Sequence, residues 1–175
     1  MKSASAFVLA GALMGAGVQG LALGGAMVVY TPSVPVGLYW RHDVRPETLV
    51  RDAYVCVQAT SSHAPTELRE RVLDGRLPAA WRKDALVKRV AAVEGQRVDY
   101  ANGRGVLVDG ELLPQSVALP RDSQGHALPF PSYPVVLERG QVWLRAEHPQ
   151  GLDSRYLGAV EVRAITCVAE PVWTW

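Results

Sequence analysis

The sequence predicts a mainly β protein, a coiled antiparallel β domain with one short helix, carried on a single N-terminal transmembrane helix. Three observations predict it. An uncharged apolar stretch opens the chain, alternating β-branched and aromatic runs broken by glycine turns fill the remainder, and helical periodicity surfaces in one short segment.

The expected organisation is an anchor at residues 1–30 and a β-rich domain at 31–175. AFVLAGALMGAGVQGLALGGAMVVY, from Ala6 to Tyr30, is uncharged, with Gln19 as its polar side chain. About 24 residues rising about 1.5 Å each span roughly 36 Å, enough to cross a hydrocarbon core of about 30 Å with some tilt. A cleaved secretory signal is the alternative, since GGA before Met27 resembles a small-residue cleavage site. Length favours the anchor. Lys2 and the amino terminus favour an N-terminus kept in the cytoplasm, which would place everything after the span outside.

TPSVPVGLYWR, 31 to 41, follows directly. Pro32 and Pro35 fix φ and remove two donors, so the segment is expected to be extended and stiff and to present Ser33 near the membrane. LVRDAYVCVQA, 49 to 59, reads as a strand. In residues 61–77 the period changes: Pro65 suits a first helical turn, Glu67 the helix N-terminus, Leu68, Val72 and Leu73 an apolar stripe, and Gly75 the stop. Residues 84–103 are expected to be a β pair turning near Glu94 and Gly95, and Asp109-Gly110 between apolar runs is a strong hairpin signal. The proline-rich residues 114–134 read as a surface excursion. Strands then return around Arg139 and Gly140, and a last strand runs through AVEVRAITCVAEP.

A formal net charge of +1 gives no electrostatic case for nucleic acid, and no metal-binding or nucleotide-binding motif is present, so no cofactor and no metal are expected. Cys56 and Cys167 are expected as two buried free thiols, although a disulfide is permitted outside the cytoplasm.

If Ser33 is a nucleophile it needs a base. His42 follows the serine segment too closely and His63, His126 and His148 lie in polar loops, so all four are poor candidates. Lys88, in ALVKRVAAV, should share a strand face with Leu86, Val90 and Ala92. Aliphatic neighbours disfavour the ammonium and leave part of it as the free amine a base must be. The alternative is that Lys88 turns out to water at a strand end. Lys2 and Lys83 sit at the membrane edge and in a charged turn. Asp153 and Arg155, two apart in GLDSRYLGAV, would face the same way on an extended chain and can pair with each other or brace a neighbouring loop, and taken alone they read as a solvated loop ion pair.

Taken together, SxPxGxY after a membrane helix, KRV on an apolar strand and DSRYxG near the end resemble the type I signal peptidase family, serine proteases with a serine–lysine dyad. Within it the chain is most similar to the TraF-type peptidases of conjugative transfer. TPSVPVGLYW, LVKRVAAVEG, VLVDGELLP, DSRYLG and PVWTW carry that likeness over nearly the whole chain. The resemblance implies Ser33 as nucleophile, Lys88 as general base, Thr31 with the Ser33 amide as oxyanion hole, and Asp153 and Arg155 as support of the active-site wall. Many members have a serine that bonds the lysine where this chain has Gly151, so Ser154 or a backbone carbonyl is expected to orient Lys88 instead. Gln96 stands where the family often has aspartate. The implied substrate is an exported peptide with small side chains at the cleavage point, docking as an added strand. A pilin precursor, cleaved and possibly cyclised for a type IV secretion apparatus, is the leading candidate, with secretion-system components as further partners. The expected location is the bacterial inner membrane, with the catalytic domain in the periplasm. A general signal peptidase and a non-catalytic anchored β scaffold are the rival readings.

Overall fold

A computed structural model describes residues 25–45, 48–76 and 85–175. The expected anchor therefore lies outside the described residues up to position 24, and its last part is corrected. Ala26–Val29 is a strand, β1, not the end of a helix. It pairs antiparallel with β2, Gly37–His42, so that Val29 faces Gly37 and Ala26 faces Trp40. No helix among the described residues is long and apolar enough to cross a membrane.

β3 (Tyr54–Gln58) precedes helix α1 (Thr66–Leu73), and β4 (Ala85–Ala92) follows it. Then come β5 (Arg97–Ala101), β6 (Gly105–Val108), β7 (Glu111–Leu112), β8 (Val135–Val136) and β9 (Gln141–Arg145). A one-turn helix α2 (Ser154–Leu157) leads to β10 (Val160–Glu161), a 3-10 turn at Val162–Ala164 and β11 (Ile165–Thr174). Where one short helix is expected in the β domain the described residues hold two, and the expected last strand is broken in two. The mainly β antiparallel class holds.

Seven strands form one sheet in the order β1-β2-β11-β3-β4-β9-β10, and four form another in the order β7-β6-β5-β8. This corrects the pairing expected within residues 84–103. β4 and β5 flank the turn at Glu94 and Gly95 but belong to different sheets, as do β8 and β9 around Gly140. Each turn passes the chain between layers instead of closing a hairpin. Gln96 takes part in the first crossing, accepting from the Val93 amide at 3.0 Å and donating to Asp109 at 2.7 Å. The hairpin at Asp109-Gly110 does form. Both residues have positive φ, 50° and 86°, the backbone a two-residue type I′ turn requires.

Packing follows from these layers. Pro65 precedes α1 as expected and Leu68 and Val72 are buried, but Leu73 is exposed and Arg71 takes a buried place instead. Leu68 and Val72 join Val55, Val57, Val90 and Leu144 in one core. A second core between the sheets gathers Ala91, Ala92, Val98, Val106, Val108 and Trp143. The β4–β9 register shifts between Val90 and Ala92, and this bulge lets one strand serve both cores. A third core holds Val29, Val34, Tyr39, Val87 and Ala169 around Cys56 and Cys167. The two cysteines face each other on β3 and β11 and are joined in a disulfide, which corrects the expectation of free thiols.

Candidate active site

Ser33 lies in a turn between β1 and β2, not on the extended segment its flanking prolines predict. The stiffness has other sources as well. Val34 is 1% exposed and fixes the turn in the third core. The Glu147 amide donates to the Ser33 carbonyl at 2.7 Å, the Tyr39 hydroxyl to the Pro35 carbonyl at 2.6 Å, and the Trp175 amide to the Val36 carbonyl at 3.0 Å. Three separate elements therefore hold the backbone while the Ser33 side chain stays partly open.

Lys88 occupies β4, between β3 and β9, directly across from Val55. It is 4% exposed, so the alternative of an ammonium turned out to water does not hold. Val57, Leu68, Leu86, Leu144 and Leu152 line a small gap with it. Leu86 and Val90 flank it in the first core as the alternation predicts, whereas the bulge carries Ala92 into the second. Its Nζ is 2.9 Å from Ser33 Oγ. Burial pulls its pKa down from 10.5 to about 8, opposed by nearby Asp153 and assisted by Arg155. As an ammonium, Lys88 donates to Ser33. As an amine at the same distance it can accept the serine's proton.

Asp153 and Arg155 are not an extended, solvated pair. Asp153 caps α2 and Arg155 lies on it, both 2% exposed. Asp153 Oδ1 accepts from Arg155 Nε at 2.8 Å and from the Arg155 amide at 2.9 Å, and Oδ2 accepts from the Ala146 amide at 2.7 Å. The guanidinium also donates to the carbonyls of Pro149 at 2.8 Å, Gly151 at 2.9 Å and Val117 at 3.1 Å, so one side chain ties the 114–134 excursion to the site. Arg155→Met strands Asp153 and these carbonyls in a dry interior. It should cost about 3–5 kcal/mol of stability, read as a lower urea midpoint.

Ser154 Oγ accepts from the Leu144 amide at 2.9 Å, while the hydrogen bond that Lys88 Nζ makes is to Ser33. Gly151 also has a local reason. A Cβ built there would collide with the Ala146 side chain and crowd the His148 carbonyl. Gly151→Ser should therefore destabilise by about 1–3 kcal/mol, and adding Ala146→Gly should recover most of the loss in thermal unfolding.

Thr31, Ser33 and Lys88 open into one cleft of about 480 Å³, walled by Leu119, Arg121 and Leu128 of the excursion, Arg71 of α1, and Gly151, Leu152 and Tyr156. A larger depression of about 790 Å³ between β2, β3 and β11 contains neither Ser33 nor Lys88. Of the histidines, His42 pairs with exposed Glu170, His126 with Asp122, and His148 lies on the cleft rim. Sequence reasoning missed the Arg89 network, in which Arg89 bridges Asp52 at 2.9 Å and Glu147 at 3.1 Å while Tyr54 donates to Glu147. Strand alternation places Arg89 opposite Lys88 and was the available signal. No His, Cys, Asp and Glu cluster among the described residues could hold a metal ion.

Comparison with known proteins adds an independent line. Residues 30–175 match the family profile described as signal peptidase, peptidase S26. The plasmid transfer protein TraF of Escherichia coli is 34% identical over 157 residues, covering 87% of this chain and 85% of that protein. The conjugal transfer protein TraF of Agrobacterium fabrum is 32% identical over 165 residues, covering 93% and 90%. A crystal structure of a signal peptidase I from Enterococcus faecalis V583 matches with a TM-score of 0.40 at 15% identity, over 73% of this chain and 98% of that one, too loose a likeness to argue from.

Proposed function

The chain belongs to the signal peptidase, peptidase S26, family, and from that footing we propose that it is a membrane-anchored endopeptidase with Ser33 as nucleophile and Lys88 as general base. One observation carries the reading: a buried amine with its pKa lowered to about 8 lies 2.9 Å from the Oγ of a serine held by three elements. The neutral amine takes the hydroxyl proton as Oγ attacks a peptide carbonyl. Thr31 and the Ser33 amide receive the oxyanion, where one donor is typically worth about 3 kcal/mol. The lysinium then protonates the leaving amine and an acyl-enzyme remains. Water resolves it to an acid, or a substrate amine resolves it to a new peptide bond. Asp153 and Arg155 hold the wall behind Lys88.

The conjugal transfer relatives support a role in conjugation, and the resemblance to TraF-type peptidases implies an exported pilin precursor as substrate, matured for a conjugative type IV secretion apparatus. The position of the apolar segment supports an inner-membrane anchor with the β domain in the periplasm, since its last residues form β1 and β1 leads straight to Ser33. Exposed Tyr30, Trp173 and Trp175 suit the headgroup depth at which such a substrate would emerge. Gly151, which stands where many family members have a serine that bonds the lysine, has a packing cause in Ala146.

The test is to incubate the purified full chain in detergent with a conjugative pilin precursor and weigh the products. A cleaved product absent with Ser33→Ala supports the reading, and a product lighter by one water identifies cyclisation. An unchanged precursor overturns the assigned substrate.

A further inference from the structure

We propose that the Ser33 cleft contains a carboxylate-binding subsite built by Arg71 and Arg121, so that the preferred peptide bears an acidic side chain or a free C-terminal carboxylate close to the scissile bond. This rests on the peptidase reading above and specifies its substrate class. Both arginines line the cleft with Ser33 and Lys88, Arg71 from the last turn of α1 and Arg121 from the proline-rich excursion. Arg71 is only 8% exposed, yet its Nε is buried without a hydrogen-bond partner. Such a donor costs free energy until an acceptor reaches it.

The protein's own negative charge does not fill this need. Asp122 is the one acid among the described residues lining the cleft, against Arg71, Arg76 and Arg121 in the same lining. Its carboxylate meets Arg71 Nη2 at 3.2 Å but is also occupied by the His126 ring and by the amides of Gln124 and His126. Arg76 pairs with Asp74. Arg121 donates to the neutral Gly125 carbonyl at 2.8 Å and keeps its charge. With Lys88 neutral, the wall still has a positive surplus beside apolar Leu119, Leu128 and Leu152. A planar guanidinium fork in such surroundings selects a carboxylate over an amide of the same shape.

The experiment uses the full chain in detergent and three peptides matched around the cleavage point found by mass spectrometry. One carries Glu within a few residues of the scissile bond and an amidated end, the second is its Gln counterpart, and the third keeps Gln but ends in a free carboxylate. The Glu peptide, the free-carboxylate peptide or both should exceed the Gln amide by about tenfold in kcat/KM, chiefly through KM, with the advantage shrinking as salt rises. Which of them does so identifies the source of the carboxylate. Arg121→Gln should bring the ratio near one, and Arg121→Glu should turn it below one, with the Gln amide then cleaved best. Arg121 is exposed, so neither variant should compromise folding. Equal cleavage of all three peptides, abolished by Ser33→Ala, overturns the subsite and leaves the peptidase reading intact, as does a ratio unmoved by Arg121→Gln. If none of them is cut while the precursor is still cleaved in a Ser33-dependent way, the subsite alone falls, and if cleavage of the precursor survives Ser33→Ala, both fall.

Discussion

Ser33→Ala, Lys88→Ala and the double variant should each lower kcat by at least about 10⁴-fold, and by nearly the same factor, because a nucleophile and its base act as one unit. Lys88→Arg should be as inactive, since a guanidinium does not release its proton at working pH. Ser33→Ala removes only a partly exposed hydroxyl, so its thermal midpoint should stay near wild type and separate lost chemistry from lost folding. The pH profile provides a second reading of the same group. Lys88 is an ammonium below about 8 and a free amine above it, so activity should rise through that region and level off on the alkaline side. Losses that multiply in the double variant, or a rate flat from neutral to alkaline pH, would rule out the dyad.

Much of this site was legible because its signals are local. Proline flanks mark the Ser33 turn as stiff even though it is not extended, and period-two alternation placed Lys88 with Leu86 and Val90. Asp109-Gly110 specified its hairpin through backbone conformation alone. What stayed hidden depends on partners distant in the chain. Alternation finds the strands beside Gly95 and Gly140 but not which sheet each joins, and a bulge at Ala91 shifts Ala92 into another core. Asp153 and Arg155 looked solvated because the carbonyls that bury the guanidinium come from Val117, Pro149 and Gly151. The cysteines looked free because only the β3–β11 register sets them opposite each other. Gly151 looked like a departure, and only its contact with Ala146 explains it.

The arrangement that equips Lys88 as a base should also make it a cost to the fold. Lys88→Met should therefore give an inactive protein that is more stable at pH 6. In the folded chain burial lowers the pKa to about 8, while the unfolded chain keeps a value near 10.5. Below the lower value both states bind the proton, and the folded state bears the full penalty of a dry ammonium, on the order of 3 kcal/mol. Between the two values the unfolded state binds more protons, so wild-type stability should rise with pH across that window and level off above it. Methionine fills a similar volume without a charge, and losing the contact to Ser33 offsets only part of the gain. The variant should melt higher by about 5–10 °C at pH 6, with the difference closing towards pH 10.5. Thermal melts of both proteins across that range measure it directly. A variant less stable than wild type at pH 6 would mean that the folded chain already solvates or pairs the ammonium, and the lowered pKa on which the catalytic reading depends would go with it.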